Sequence, residues 1–210
     1  VDWAMDRNLY SWSELVPDSA MTGHLAESWE TPDPRTYIFH IRQGVRWHNR
    51  PPVNGRELTA KDVEYNYHRY LGLGSGFTEA AVYHANPLGA IGVESVTATD
   101  EYTVVFKLAE PNLVALSAVL LQSSAHINAP EVIEEYGEID DWRNLVGTGP
   151  FMVTDFVDGS SVTKTKNPDY WGYDEKYPEN RLPYLDEVVM LVIPDDASRI
   201  AALRTGELDY

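Results

Sequence analysis

The chain has no cysteine, so neither a disulfide nor a thiolate metal site can hold it together. That absence fits a reducing cytosol and equally an exported protein that does without bridges. Positive charge is scarce: 16 lysines and arginines stand against 33 aspartates and glutamates, for a net charge of −17. Such a balance repels phosphate backbones and anionic headgroups, which argues against nucleic acid or a membrane surface as partner. No apolar run approaches the roughly 18 residues that a membrane span needs. The first residues, VDWAMDRNLY, have neither the basic nor the apolar part of a signal peptide. The chain opens on Val1 without an initiator Met and closes on Gly206-Glu207-Leu208-Asp209-Tyr210, a helix stop followed by the opening of a further strand. It therefore reads as a piece of a longer protein.

Signatures of catalysis are missing as well. The histidines at 24, 40, 48, 68, 84 and 126 never stand two or four residues apart, and no His-Glu-x-x-His occurs, so local sequence offers no metal site. There is no Gly-x-Ser-x-Gly elbow. Ser161 and Lys164 have Ser-x-x-Lys spacing, but in a predicted strand they point to opposite faces. Gly72-Leu73-Gly74-Ser75-Gly76 follows a helix rather than a strand and lacks the Lys-Ser/Thr of a phosphate loop, so it reads as a mobile linker. The doublets Glu134-Glu135, Asp140-Asp141 and Asp195-Asp196 diverge instead of facing each other as an acid and a base must. They read as solvated faces or helix starts.

What is present suffices for one large or two small domains: 210 residues, 43% hydrophobic and 11% aromatic. Residues 36–42 alternate, with Tyr37, Phe39 and Ile41 on one face, which predicts a half-buried strand. Thr59 and Asp62 have capping-box spacing and open a helix whose apolar stripe is Val63, Tyr67, Tyr70 and Leu71. A β pair is predicted at 93–98 and 102–108, with Tyr102, Val104, Phe106 and Leu108 on one face. Pro111 opens an apolar helix to about residue 122, and Pro130 a shorter one ending at Gly137. Asp158-Gly159 joins a hairpin of 151–157 and 161–166. A strand at 187–193 and a helix at 195–205 with Gly206 as its stop follow. Strands and helices mix without strict alternation, so the fold class is α+β. The loop 144–150 is the candidate domain boundary. The segment 167–188 crowds five aromatics and three prolines into a stretch with no period; Tyr170, Trp171, Tyr173, Tyr177 and Tyr184 are expected to pack it onto the sheet, with ligand stacking as the other use of such rings.

Several blocks carry a family resemblance. LAESWE at 25–30, YIFHIRQGVRWH at 37–48 and LTAKDVEYN at 58–66 closely resemble successive blocks of the family 5 extracellular solute-binding proteins, the oligopeptide-, dipeptide- and nickel-binding components of ABC importers. GTGPF at 147–151, KNPDYW at 166–171, Leu185-Asp186 and AALRTGELD at 201–209 continue the series in family order. One departure is the turn 48–57, HNRPPVNGRE, longer than the family's usual "HDG".

The resemblance implies a mixed-sheet lobe of a periplasmic-binding-protein-like fold (type II, cluster C), incomplete here. Residues 1–146 would form its intermediary subdomain and 147–210 part of the main subdomain of the same lobe. It further implies a monomeric protein, extracytoplasmic in the periplasm or tethered to the outer face of the membrane. Such a protein captures a peptide or other small solute without cofactor or metal and hands it to an ABC permease. Because relatives close two lobes on a ligand, this chain alone is expected to bind weakly or not at all. Tyr83 and His84, in the loop after the DVEYN helix, are the implied ligand-facing residues; Trp12 and the backbone of Thr148 and Gly149 are further candidates. Each also reads as an ordinary loop or core residue. The alternatives from other classes are a carbohydrate-active or hydrolytic domain with an acidic cleft, and a sensor built on the same fold.

Overall fold

The computed structural model describes residues 22–81, 92–112, 126–137 and 139–209. The predicted apolar helix after Pro111 lies outside the described residues. The chain is α+β and divides into two compact units, Val1–Val45 with Glu57–Pro130, and Arg46–Arg56 with Glu131–Tyr210.

The first unit is built on an antiparallel sheet of β1 (Ala26–Asp33), β2 (Thr36–Ile41), β3 (Val93–Ala98) and β4 (Thr103–Leu108), in the order β1-β2-β4-β3. Tyr37, Phe39 and Ile41 are buried, as their alternation predicts, and the register Tyr37↔Phe106 and Phe39↔Val104 sets the apolar faces of β2 and β4 side by side. Sequence period gave no sign of β1, because both its faces are largely wet and no alternation is visible. Helix α1 (Ala60–Leu71) covers the sheet: the Phe106 ring meets Phe39 edge-on at 5.3 Å and Tyr67 at 4.8 Å. Such edge-to-face pairs are worth about 0.5–1.5 kcal/mol each beyond the area they bury.

Local signals explain where α1 begins and ends. The Asp62 carboxylate accepts from the Thr59 amide at 2.9 Å, and Gly72 ends the helix at φ 68°, a left-handed conformation that suits a residue without Cβ. The predicted stripe is buried at Val63, Tyr67 and Tyr70, and polar Asp62 and Asn66 are buried beside it. Two bonds fix α1 to β3: Glu64 Oε1 accepts from the Ala98 amide at 3.0 Å, and His68 Nε2 lies 2.8 Å from the Val96 carbonyl. The Gly72–Gly76 stretch corrects the linker reading. Ser75 Oγ lies 2.8 Å from His68 Nδ1, and a Cβ on Gly74 would come within 3.0 Å of that nitrogen, so the loop is pinned to the end of α1.

The second unit contains an antiparallel sheet of β5 (Phe151–Val157), β6 (Ser161–Lys166) and β7 (Glu187–Leu191), in that order. Asp158-Gly159 closes the predicted hairpin, with Gly159 at φ 66°. Helix α2 (Pro130–Tyr136) leads into the unit and stops at Gly137, whose amide donates to the Ile133 carbonyl at 2.8 Å. A single 3-10 turn, Trp142–Asn144, is capped by Asp141. Helix α3 (Asp196–Thr205) starts where Asp195 accepts from the Ser198 amide at 2.7 Å and stops at Gly206.

The irregular segment 167–186 corrects a second expectation. Tyr170 is 8% exposed, but Tyr173, Tyr177 and Tyr184 are 55%, 48% and 58% exposed. Polar bonds to Asp174 hold the turn at Tyr177 and the Tyr184 side chain. Asp174 Oδ1 accepts from the amides of Lys176 and Tyr177, and its Oδ2 accepts from the Tyr184 hydroxyl at 2.7 Å. A hydroxyl tethered to a surface carboxylate keeps its ring at the surface.

Candidate functional site

Three of the sequence blocks meet in the second unit. The turn after Trp47, the loop 147–150 and the start of the 167–171 segment are tied into one knot by backbone and by two buried polar side chains, His48 (5% exposed) and Asn167 (2%). The His48 amide donates to the Gly147 carbonyl at 2.7 Å, and the Gly147 amide donates back to His48 Nδ1 at 3.1 Å. His48 Nε2 lies 3.1 Å from the Gly149 carbonyl. That carbonyl also accepts from Asn167 Nδ2 at 3.0 Å, while the Asn167 amide donates to the Pro150 carbonyl at 2.8 Å. Asn167 Oδ1 accepts from the Asp169 amide at 3.0 Å, which turns the chain toward Tyr170.

Neighbouring charges stiffen the knot. Arg50 Nη1 donates to the carbonyls of Leu145 (3.3 Å) and Val153 (3.2 Å), on either side of the loop. Arg56 forms a two-pronged pair with Glu131, with Nη2 to Oε2 at 2.7 Å and Nε to Oε1 as the second bond. The Arg56 guanidinium sits 6.0 Å from the centre of the Trp47 ring, which is buried. The bond to Arg56 holds the Glu131 carboxyl below its ordinary range, against a smaller opposing effect of burial. Burial pushes the His48 imidazole below its ordinary value, the Arg50 charge adds to that, and the bond to the Gly149 carbonyl works the other way.

Thr148 and Gly149 therefore sit on a loop held through Gly147 and through the Gly149 carbonyl, with the two residues' own amides outside those bonds. Both are half-buried, and their own amides have no hydrogen-bond partner among the described residues. A Cβ on Gly149 would meet nothing within 4 Å. Trp12, Tyr83 and His84 lie outside the described residues. His48 and Asn167 are the residues that single-residue reading missed. Each belonged to a recognised block, but only the fold shows that the blocks converge.

The chemistry available at this knot is hydrogen bonding. Asp141 and Asp195 are spent on turn and helix caps, and Glu131 on Arg56. No three His, Cys, Asp or Glu side chains among the described residues are grouped to hold a metal. No helix among them is long and apolar enough to cross a membrane.

Comparisons with known proteins agree with one another. The model of the bacterial extracellular solute-binding proteins, family 5 Middle, matches residues 20–210. The dipeptide-binding protein of Escherichia coli K12 is 28% identical over 206 residues, 93% of this chain and 36% of that protein. An ABC transporter peptide-binding protein of Brucella ovis is 30% identical over 194 residues, 90% of this chain and 33% of its own. Among solved structures, the periplasmic binding protein DppA of Helicobacter pylori, in complex with the peptide STSA, superposes with a TM-score of 0.72 at 31% identity, over 89% of this chain and 37% of that one. OppA of Haemophilus influenzae, in complex with RPPGFSPFR, gives 0.70 at 26% identity, over 88% and 36%. The chain thus spans about a third of the length of the relatives it matches.

Proposed function

The chain belongs to the bacterial extracellular solute-binding proteins of family 5, and from that membership we propose that it serves an ABC importer as substrate-binding component, taking up peptides or similar solutes outside the cytoplasmic membrane and delivering them chemically unchanged to a permease. The observation that carries this reading is the convergence of the Trp47-His48 end of the 37–48 block, the GTGPF block and the KNPDYW block at one loop, 147–150, within a family match that runs over residues 20–210. Thr148 and Gly149 offer amides without a partner among the described residues, and a peptide backbone is the natural acceptor for such groups. Trp12, Tyr83 and His84 complete the set of residues assigned to the solute.

The protein acts by binding alone. It is exported, held in the periplasm or on the outer face of the membrane, and works as a monomer. A mixture of di-, tri- and oligopeptides incubated with the protein and then analysed by mass spectrometry should be recovered with every mass unchanged. New, shorter peptides that depend on the protein would overturn the non-enzymatic part of the proposal.

A further inference from the structure

The hydrogen bonds around His48 determine its tautomer. The Gly147 amide can only donate, so Nδ1 must be the unprotonated, accepting nitrogen; Nε2 then carries the ring's hydrogen and donates it to the Gly149 carbonyl. Both nitrogens are thus used on one loop, 147–149, and the ring packs on Gly147, where a Cβ would stand 3.5 Å from His48 Cε1. A second proton has one place to go, Nδ1, where it would point at the Gly147 N–H from 3.1 Å.

We propose that His48 is a positioning residue for the 147–149 loop, which it holds through its neutral Nε2–H form and releases at Gly147 when the ring takes up a proton. The bond to the Gly149 carbonyl and the backbone bond from the His48 amide to the Gly147 carbonyl survive that proton, so the effect is local: the Gly147 amide alone loses its acceptor. Surrounding charges favour the neutral state. Arg50, on the same turn as His48, is the charged group among the described residues that bears on the ring, and it disfavours a second cation. The loop 147–150 has no ionisable side chain, and Asn167, which shares the Gly149 carbonyl, is uncharged. Burial is the largest influence and also lowers the ring, the bond to the Gly149 carbonyl opposes it, and the net direction is below the ordinary 6.5. The inference stands whether or not the loop faces a solute, because it concerns the loop's own hydrogen bonds.

Nuclear magnetic resonance on the 15N-labelled protein tests it. Long-range 1H–15N correlations of the His48 ring should show the Nε2–H tautomer at neutral pH. As pH falls through the ring's titration, protection of the Gly147 amide from solvent exchange, corrected for the intrinsic rate, should drop roughly tenfold, the weight of one buried hydrogen bond. In His48→Asn the side-chain oxygen takes the place of Nδ1 and does not titrate, so the Gly147 step should vanish. If that variant fails to fold, the wild-type titration decides alone, because ring and amide must share one midpoint. An Nδ1–H tautomer at neutral pH, or Gly147 protection that stays level while the ring titrates, would overturn the proposal.

Discussion

Substituting Asn167 separates the loss of a hydrogen bond from the introduction of a charge at the same buried point. Asn167→Ala removes the bond from Nδ2 to the Gly149 carbonyl and the bond from the Asp169 amide to Oδ1. At about 1 kcal/mol per neutral bond, with a further fraction for the space left by a side chain 2% exposed, the loss is about 2–3 kcal/mol. For a chain of this size that corresponds to a fall in melting temperature of roughly 5–10 °C. Asn167→Asp keeps the acceptor for Asp169 but sets a carboxylate oxygen 3.0 Å from the Gly149 carbonyl in a buried position, so its charged form is disfavoured. The folded-state pKa of the new carboxyl rises above its unfolded value. Its stability is then greatest at pH below the unfolded value, and is lost as pH climbs through the folded one. Asn167→Asp should therefore melt below Asn167→Ala at pH 7 and recover toward or above it near pH 4. Melting followed by circular dichroism across that range is the assay. An aspartate variant as stable as the alanine variant at pH 7, with no gain in acid, would refute the view that Asn167 Nδ2 donates to Gly149.

Other perturbations test other parts of the molecule. Tyr70 donates to the His126 carbonyl at 2.8 Å and accepts from Asn128 Nδ2 at 3.0 Å, so Tyr70→Phe should cost about 1–2 kcal/mol in urea unfolding; a neutral result would mean that Asn66, which donates to the same carbonyl, holds the 126–128 segment by itself. Glu131 has a carboxyl held low by Arg56, so the stability it contributes is complete above its unfolded value and is lost as pH falls through the lower folded one. The urea midpoint of the wild type should fall more steeply on acidification than that of Glu131→Gln, and parallel curves would contradict the pairing. Gly149→Ala should leave the unfolding free energy unchanged within about 0.5 kcal/mol, because the added methyl meets nothing within 4 Å. A large loss would show that the loop crest is packed.

Much of the fold was legible because each local signal had an independent tertiary partner. The alternation of Tyr37, Phe39 and Ile41 announced β2, and the Thr59–Asp62 spacing announced the start of α1. Asp158-Gly159 announced the hairpin of β5 and β6. Strand β1 was hidden because a strand wet on both faces shows no period. The tyrosines at 173, 177 and 184 misled because a large ring suggests burial while all three are about half exposed, and at Tyr184 a hydroxyl bonded to Asp174 holds the side chain at the surface. The candidate site was legible only as separate blocks. Nothing in a linear pattern says that His48, Gly149 and Asn167, about 100 and 18 residues apart in turn, share one carbonyl. Thr148 and Gly149 were singled out for their backbone groups, whereas the two side chains that hold them in place were not.

Uptake by cells tests the central claim most directly. A strain lacking the gene, given a radiolabelled di- or tripeptide as probe, should accumulate it far more slowly than the parent and recover when the gene is restored. Equal uptake with and without the gene, across peptides of every length tried, would contradict the assignment to peptide import.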